Sequence, residues 1–151
     1  MRSRALRWLL ALLAVVLLVA AGIAALNLRD EPDVSAAAVA SAAPAPQQIE
    51  RGAYLARAGN CAACHTARGG APYAGGAGIE TPFGLVFATN LTPDPDTGLG
   101  RWNAAHFWRA MHNGRSRDGR LLYPVFPYPN YTRITREDSD AIYAWLRTLA
   151  P

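Results

Sequence analysis

The N-terminal part of the chain is dominated by one long apolar segment. Residues 8–28 form an unbroken run without a charged side chain, rich in Leu, Val and Ala. Such a run predicts a helix that could cross a bilayer, which takes about 20 residues. The hydrophobic part of a cleaved secretory signal is shorter, about 7–15 residues. We therefore expect residues 1–28 to be a membrane anchor rather than a cleaved signal sequence, although small residues at 36–38 leave cleavage open as the alternative.

Charged residues are distributed unevenly around this segment. Arg2, Arg4 and Arg7 precede it, and a mixture of Arg, Asp and Glu follows it. By the positive-inside bias, the N-terminus is in the cytoplasm and the rest of the chain is exported. Residues 29–47 are rich in Ala and Pro and lack apolar periodicity, which predicts a linker. Residues 48–151 are then left as one folded domain.

The spacing of apolar residues predicts that this domain begins with a helix. The helix covers residues 48–58 and ends at Gly59-Asn60, next to the first cysteine. Its candidate core residues are Ile49, Tyr54 and Leu55.

Two further helices are predicted in the second half of the domain. One covers residues 104–112, is capped by Asn103 and ends at Asn113-Gly114. The other is capped by Thr135, with Asp138 three positions later, and is followed by Pro151. Its apolar stripe consists of Ala141, Ile142, Trp145, Leu146 and Leu149.

The segments between these helices are rich in Gly and Pro. Residues 69–100 and 114–131 show little sign of strands. So much loop in a domain of about one hundred residues suggests that something other than side chains fills its centre.

The chemistry of the chain is concentrated in the segment Cys61-Ala62-Ala63-Cys64-His65. Two thiols three positions apart can each add to one vinyl group of a single porphyrin, and the adjacent imidazole can ligate its iron. The segment therefore predicts one covalent haem c, bound by Cys61 and Cys64, with His65 as the proximal iron ligand. A zinc site would need more ligands at similar spacing, and the sequence has no other cysteine. A disulfide oxidoreductase needs a βαβ context, and a structural disulfide leaves His65 unexplained.

The net charge of +4 does not indicate a nucleic-acid-binding protein. Without the three N-terminal arginines, 12 arginines face 11 Asp and Glu residues, and the chain has no lysine. A nucleic-acid-binding face would need clustered basic residues in the folded part.

Longer motifs carry a resemblance to a known family. The resemblance is carried by five segments: RGAYLARAGNCAACHTARGG, TPFG, TNLTPDPDTGLGRW, DGRLLYPVFPYPNYTRIT and AIYAWLRTL. They resemble the cytochrome c subunits of membrane-bound bacterial dehydrogenases. These subunits include the partners of alcohol and aldehyde dehydrogenases and of molybdenum hydroxylases. The resemblance covers essentially all of the folded part. It implies the all-α class I cytochrome c fold, in which the first and third helices cross and Gly52 approaches the aromatic faces of Tyr143 and Trp145.

The second axial ligand of the iron is not settled by the resemblance. Many relatives have methionine at the position of Phe126, and some have it at the position of Ile134. Three side chains of this chain are candidates: His106, Met111 and His112. His106 lies in a first helical turn, which disfavours a cation, whereas Met111 could simply be core and His112 a favourable surface cation near a helix end. We favour His112, then Met111, and an iron without a sixth ligand is the remaining alternative.

Other side chains allow both a functional and a structural interpretation. Aromatic residues that could line a haem pocket or simply form the core are Trp102, Trp108, Tyr123, Phe126 and Tyr128. Arg101 and Arg120 could pair with haem propionates, although a solvated surface position is the more common one. Asp94 and Asp96 predict a turn rather than a calcium loop, because the spacing of an EF-hand is missing.

These features together predict a membrane-tethered periplasmic mono-haem cytochrome c. It is an electron-transfer protein and not an enzyme, with a dehydrogenase as donor and another cytochrome or a terminal oxidase as acceptor. The alternative is a haem-based peroxidase or gas sensor, which needs an open sixth iron site. A zinc or disulfide interaction module would carry no haem.

Overall fold

The computed structural model describes residues 2–28 and 43–151. Helix α1 spans Arg2–Leu28, and its large apolar side chains are exposed, from 54% at Leu13 to 76% at Trp8. Its 22-residue segment Arg4–Ala25 is long and apolar enough to cross a membrane. The predicted apolar helix is therefore confirmed, and a membrane anchor and a signal sequence both meet this criterion.

Helix α1 belongs to one compact unit of the chain, and every later element belongs to a second one. Most of the predicted linker, residues 29–42, lies outside the described residues. Helix α2 spans Pro46–Ala58 and so begins two residues before the predicted start. Proline suits this position, because the first turn of a helix needs no backbone N–H donor there.

Only one face of α2 is buried. Gly52 and Ala56 lie on that face, Leu55 packs against the core, and Ile49 is partly buried. Tyr54 is 64% exposed, so its assignment to the core is wrong. Residues 52 and 56 are one helical turn apart, whereas residue 54 points to the opposite side of the helix.

Helix α2 packs against α6, which spans Arg136–Leu146. A Cβ atom added to Gly52 would overlap the carbonyl oxygen of Ala141 and lie 2.9 Å from Cβ of Trp145. The predicted crossing is confirmed, but the contact differs from the expected one. Gly52 approaches the backbone of α6 and the base of Trp145 rather than the aromatic faces of Tyr143 and Trp145.

Both predicted helix caps are present. Helix α4 spans Ala104–Asn113, and the Asn103 side chain accepts a hydrogen bond from the backbone N–H of His106 at 2.8 Å. The His106 side chain accepts one from the N–H of Asn103 at 3.2 Å, which completes a capping box. At α6, Thr135 Oγ1 accepts from the N–H of Asp138 at 3.1 Å. Satisfied N–H groups fix where both helices begin.

The core forms where α6 packs on α4 and α2. Ile142 and Leu146 of α6 are 4% and 1% exposed, and Phe107 and Met111 of α4 are 6% and 7% exposed. Other members of the predicted stripe, Trp145 and Leu149, pack against this cluster. The predicted stripe of the last helix is thus confirmed.

The Gly- and Pro-rich middle contains a β-hairpin that the sequence pattern did not predict. Strand β1 (Gly78–Thr81) pairs antiparallel with β2 (Gly84–Phe87), so the all-α expectation is corrected to a mostly helical domain. Phe83 at the turn is 91% exposed. A hairpin with little buried surface lacks the alternation of apolar and polar residues by which strands are recognised. Helix α5, Tyr128–Tyr131, was not predicted either.

The predicted turn at Asp94 is confirmed. Oδ1 of Asp94 accepts hydrogen bonds from the backbone N–H and hydroxyl of Thr97, at 2.6 and 2.9 Å, and from the N–H of Asp96 at 3.0 Å. Its carbonyl accepts from the N–H groups of Gly98 and Gly100 at 3.1 and 3.0 Å. The donors on Thr97, above all its backbone N–H, lower the pKa of Asp94.

This turn predicts a pH-dependent effect of Asp94→Asn. Since folding lowers the Asp94 pKa, the carboxylate stabilises the fold above its unfolded-state pKa, and this stabilisation disappears as the pH falls through the lower folded-state value. We expect Asp94→Asn to melt below the parent at neutral pH and to converge with it in acid. Thermal melts over a pH series measure this. Asp96→Asn is the control, because Asp96 and its partner Arg101 are exposed; equal effects of the two variants would contradict the prediction.

Candidate haem-binding site

The two cysteines lie on a short helix directly after α2. Helix α3 spans Cys61–His65, and the chain enters it through Asn60, whose φ of 54° is in the left-handed region. Asparagine tolerates this conformation better than most residues. Both thiols are free, with Cys61 partly buried and Cys64 exposed. Burial is the main cause that raises the pKa of the Cys61 thiol.

The imidazole of His65 is held by a backbone carbonyl. Its Nδ1 lies 2.7 Å from the carbonyl oxygen of Thr89, a residue just after the β-hairpin. A carbonyl can only accept, so Nδ1 donates and Nε2 is left as the lone-pair nitrogen. Burial lowers the pKa of His65 and thereby favours the neutral form that binds metals, while the bond to Thr89 partly opposes this shift. Histidine ligands are commonly oriented by such an outer hydrogen bond.

Gly75 brings the loop around Thr89 close to α3. Its backbone N–H donates to the carbonyl of His65 at 2.8 Å. With a φ of 78°, it leaves no room for a Cβ atom, which would lie 2.6 Å from the carbonyl carbon of Thr89 and 2.7 Å from N of Asn90. Gly75 was not among the site residues expected from the sequence. In the sequence, the only feature that marks Gly75 is that it forms a Gly-Gly pair, in a loop that is already rich in glycine.

Aromatic side chains surround the cysteine helix. The hydroxyl of Tyr131 donates to the carbonyl of Gly59 at 3.1 Å, and Phe126 stacks on Tyr131 with a centroid distance of 5.5 Å. Tyr73 contacts Trp145 edge to face at 5.0 Å. Cys61 and Ala62 pack against the core cluster that contains Tyr73. The buried side of α3 is therefore apolar and largely aromatic.

The aromatic residues singled out from the sequence fall into different environments. Trp102 and Phe126 pack against the core cluster, whereas Tyr123 is 43% exposed. Trp108 stacks on His112, with Arg136 above the indole. Helix α5 begins at Tyr128 and follows the loop that carries Phe126.

The arginines proposed as propionate partners have exposed carboxylate partners instead. Arg101 pairs with Asp96 at 2.9 Å and Arg120 with Asp118 at 3.0 Å, and all four side chains are exposed. This arrangement matches the alternative of solvated surface arginines. Among the residues that the structure describes, the buried arginines are Arg109 and Arg115, which the sequence alone could not distinguish from the others.

Arg109 and Arg115 organise the loop after α4. Nη2 of Arg109 donates to the carbonyls of Ser116 and Arg117 at 2.5 and 3.0 Å. Nη1 of Arg115 donates to the carbonyl of Gly119 at 2.8 Å. These charge-assisted bonds satisfy loop carbonyls and so stabilise the loop.

The structure places the side chains of the three candidate distal ligands in different environments. His106 completes the capping box of α4. Met111 belongs to the buried core cluster. The His112 ring stacks on Trp108 with a centroid distance of 3.5 Å, and its Nδ1 is buried without a hydrogen-bond partner among the described residues.

The residues around α3 fit a covalently attached haem. Two free thiols on one short helix are followed by a histidine whose Nδ1 is bonded and whose Nε2 is left to act as a ligand. An apolar cluster adjoins the helix. Within residues 2–28 and 43–151, no group of three His, Cys, Asp or Glu side chains could hold a metal ion without such a macrocycle. The donor set is thus that of haem c rather than that of structural zinc.

Comparisons with known proteins agree with this site. The cytochrome c family model matches residues 49–150. One of the subunits of the nicotinate dehydrogenase of Pseudomonas putida is 53% identical over 103 residues, which are 68% of this chain and 9% of the relative. The cytochrome c subunit of the quinone alcohol dehydrogenase of Gluconacetobacter polyoxogenes is 50% identical over 97 residues, 64% of this chain and 21% of the relative. The gluconate 2-dehydrogenase cytochrome c subunit of Pantoea cypripedii is 46% identical over 97 residues, 64% of this chain and 22% of the relative.

The chain belongs to the cytochrome c family. The predicted cofactor, haem c, and the predicted class of electron-transfer protein rather than enzyme are confirmed by this membership. The chain spans less than a quarter of the length of each of these three relatives. Their similarity to this chain therefore concerns one domain of larger proteins.

Proposed function

We propose that this chain is a membrane-tethered periplasmic mono-haem cytochrome c that carries single electrons from a dehydrogenase to another cytochrome or a terminal oxidase. The observation that carries this proposal is the arrangement of α3, in which two free thiols precede a histidine oriented by Thr89. Cys61 and Cys64 would hold the haem through thioethers, and Nε2 of His65 would ligate its iron. Bound there, haem supplies one-electron exchange between Fe(II) and Fe(III).

The residues of the domain give this role a physical basis. The bond from His65 to Thr89 fixes the tautomer of the imidazole and increases its basicity as a ligand. The core cluster against which Cys61 packs limits the access of water to that side of the site. Exclusion of water and ligand basicity are means by which a protein sets the potential of its haem.

The dehydrogenase donor and the membrane tether in this proposal are supported by different observations. The names of the relatives describe subunits of nicotinate, alcohol and gluconate dehydrogenases. The chain holds two cysteines, which suffice for one haem. Arg4–Ala25 could cross a membrane, and a tether would raise the local concentration of the domain near membrane-bound partners.

Removal of the thiols tests the proposal. The full chain, expressed with a c-type maturation system, is expected to carry one covalent haem that survives denaturing electrophoresis and takes up one electron reversibly. The double variant Cys61→Ser/Cys64→Ser should lose all covalent haem, because neither thioether can form. Haem staining and the pyridine haemochrome spectrum measure the loss.

Ala63→Ser is the matched control, since it adds a hydroxyl to the same helix at an exposed position and leaves both thiols in place. It should retain the haem. A parent chain without covalent haem would refute the proposal. Alkaline extraction of membranes from the same cells tests the tether, since an anchored chain stays in the membrane fraction and a cleaved one is released.

A further inference from the structure

Met111 occupies a different environment from the two histidines near it in sequence. It is 7% exposed and lies one helical turn after Phe107 on the face of α4 that contributes to the core. Cys61 and Ala62 of the cysteine helix pack against the same cluster. A thioether is thus present in the apolar cluster that adjoins the attachment site.

His106 is already committed to the start of α4. Its Nδ1 accepts the backbone N–H of Asn103 in the capping box. Its ring also packs edge to face on Trp102, with a centroid distance of 6.2 Å. A role as iron ligand would break the cap that starts the helix.

His112 is held on a neighbouring face of the same helix. Its ring stacks on Trp108, and Arg136 covers the indole with its guanidinium 5.7 Å from the ring centroid. This stack ties His112 to the start of α6, and its stacking partner Trp108 does not belong to the core cluster against which Cys61 packs. The buried Nδ1 of His112 lacks a hydrogen-bond partner within the described part of the chain, which makes this histidine the competitor that a test must exclude.

We propose that Sδ of Met111 would be the second protein ligand of the haem iron, besides Nε2 of His65. This inference rests on the proposed function, because it requires the haem that Cys61 and Cys64 would hold. Methionine is unbranched and flexible, so its sulfur can adjust to a ligand position within a packed core. The sequence contains one other methionine, Met1. A His/Met pair raises the reduction potential relative to two histidines. An iron held by two protein ligands has no open position for ligands from solution, which suits electron transfer.

The two methionines allow a direct test by NMR. The full haem-loaded chain, labelled with ¹³C at the methionine methyl groups and reduced, is expected to show at most two methyl signals. The signal of Met111 should be shifted strongly upfield by the ring current of the haem, while that of Met1 stays at an ordinary thioether position. The shifted signal should be absent from Met111→Leu, which preserves the bulk of the side chain.

Two further observations separate the possible explanations. His112→Phe keeps an aromatic ring for the stack on Trp108 and should leave the shifted methyl signal and the low-spin spectrum unchanged. Met111→Leu should gain binding of carbon monoxide in the reduced form while it keeps its covalent haem. A haem-loaded parent with only unshifted methyl signals would overturn the Met111 assignment and leave the proposed function intact. A loss of the low-spin spectrum in His112→Phe would assign the ligand to His112 and overturn it as well. A chain without covalent haem would overturn both proposals.

Discussion

Gly52→Ala is expected to lower the free energy of unfolding by about 2 kcal/mol, because overpacking costs about 3 kcal/mol at the upper end of its usual range and alanine recovers about 1 kcal/mol of helix propensity. The added methyl group would overlap the backbone carbonyl of Ala141 and approach Cβ of Trp145. A backbone atom cannot move aside by a change of rotamer, so the two helices must separate. The resulting fall in melting temperature is about 8–16 °C for a domain of this size.

The measurement is a thermal or denaturant melt of the haem-loaded full chain. Tyr54→Ala is the matched control, since it alters the same helix at a residue that is 64% exposed and should change stability by no more than about 0.5 kcal/mol. If Gly52→Ala had the same melting temperature as Tyr54→Ala, the close crossing of α2 and α6 would not be a source of stability.

The helices of the domain could be predicted because their signals are local. Asn103 and Thr135 stand directly before the helices that they cap, and both caps are present. The apolar residues of α6 recur at helical spacing, and the structure buries Ile142 and Leu146 completely or nearly so. The attachment motif on α3 is also local, since five adjacent residues define it.

The features that escaped prediction depend on contacts between distant segments. His65 is oriented by Thr89, which is 24 residues away, and a carbonyl oxygen has no identity in the sequence. Gly52 could be recognised as a crossing point, but its partner atoms on Ala141 could not. The spacing of apolar residues placed Tyr54 in the core together with Ile49 and Leu55, whereas the buried residues of α2 are the small Gly52 and Ala56. The buried Arg109 differs from exposed arginines only through the loop carbonyls that it meets.

The distal side of the site shows the same limit. His112 and Met111 are adjacent in sequence and near the end of one helix, so their spacing cannot decide which of them faces the cysteine helix. The structure separates them by the partners of their side chains, since His112 stacks on Trp108 and Met111 joins the cluster against which Cys61 packs. For this reason we propose Met111 as the iron ligand, although the sequence alone favoured His112.

Gly75→Ala is expected to disturb both the stability of the domain and the haem site. The added Cβ would lie 2.6 Å from the carbonyl carbon of Thr89, and the φ of 78° is unfavourable for alanine. The left-handed conformation costs about 1–2 kcal/mol, and displacement of the packed backbone adds about 1–3 kcal/mol. The movement of Thr89 would also lengthen the hydrogen bond that orients His65.

Gly76→Ala separates these two contributions. Its φ of 82° imposes similar strain, but its added Cβ would meet only the Cβ of Ala67, at an ordinary 3.5 Å. Gly76→Ala should therefore lose about 1–2 kcal/mol from strain alone and keep the parent's reduction potential. Gly75→Ala should lose more stability and shift the potential to a more positive value, because a histidine ligand with a weaker outer hydrogen bond is less basic and stabilises the ferric state less. Melts and redox titrations of the two haem-loaded variants measure both effects. Equal potentials in Gly75→Ala, Gly76→Ala and the parent would show that the contact between Gly75 and Thr89 does not position His65.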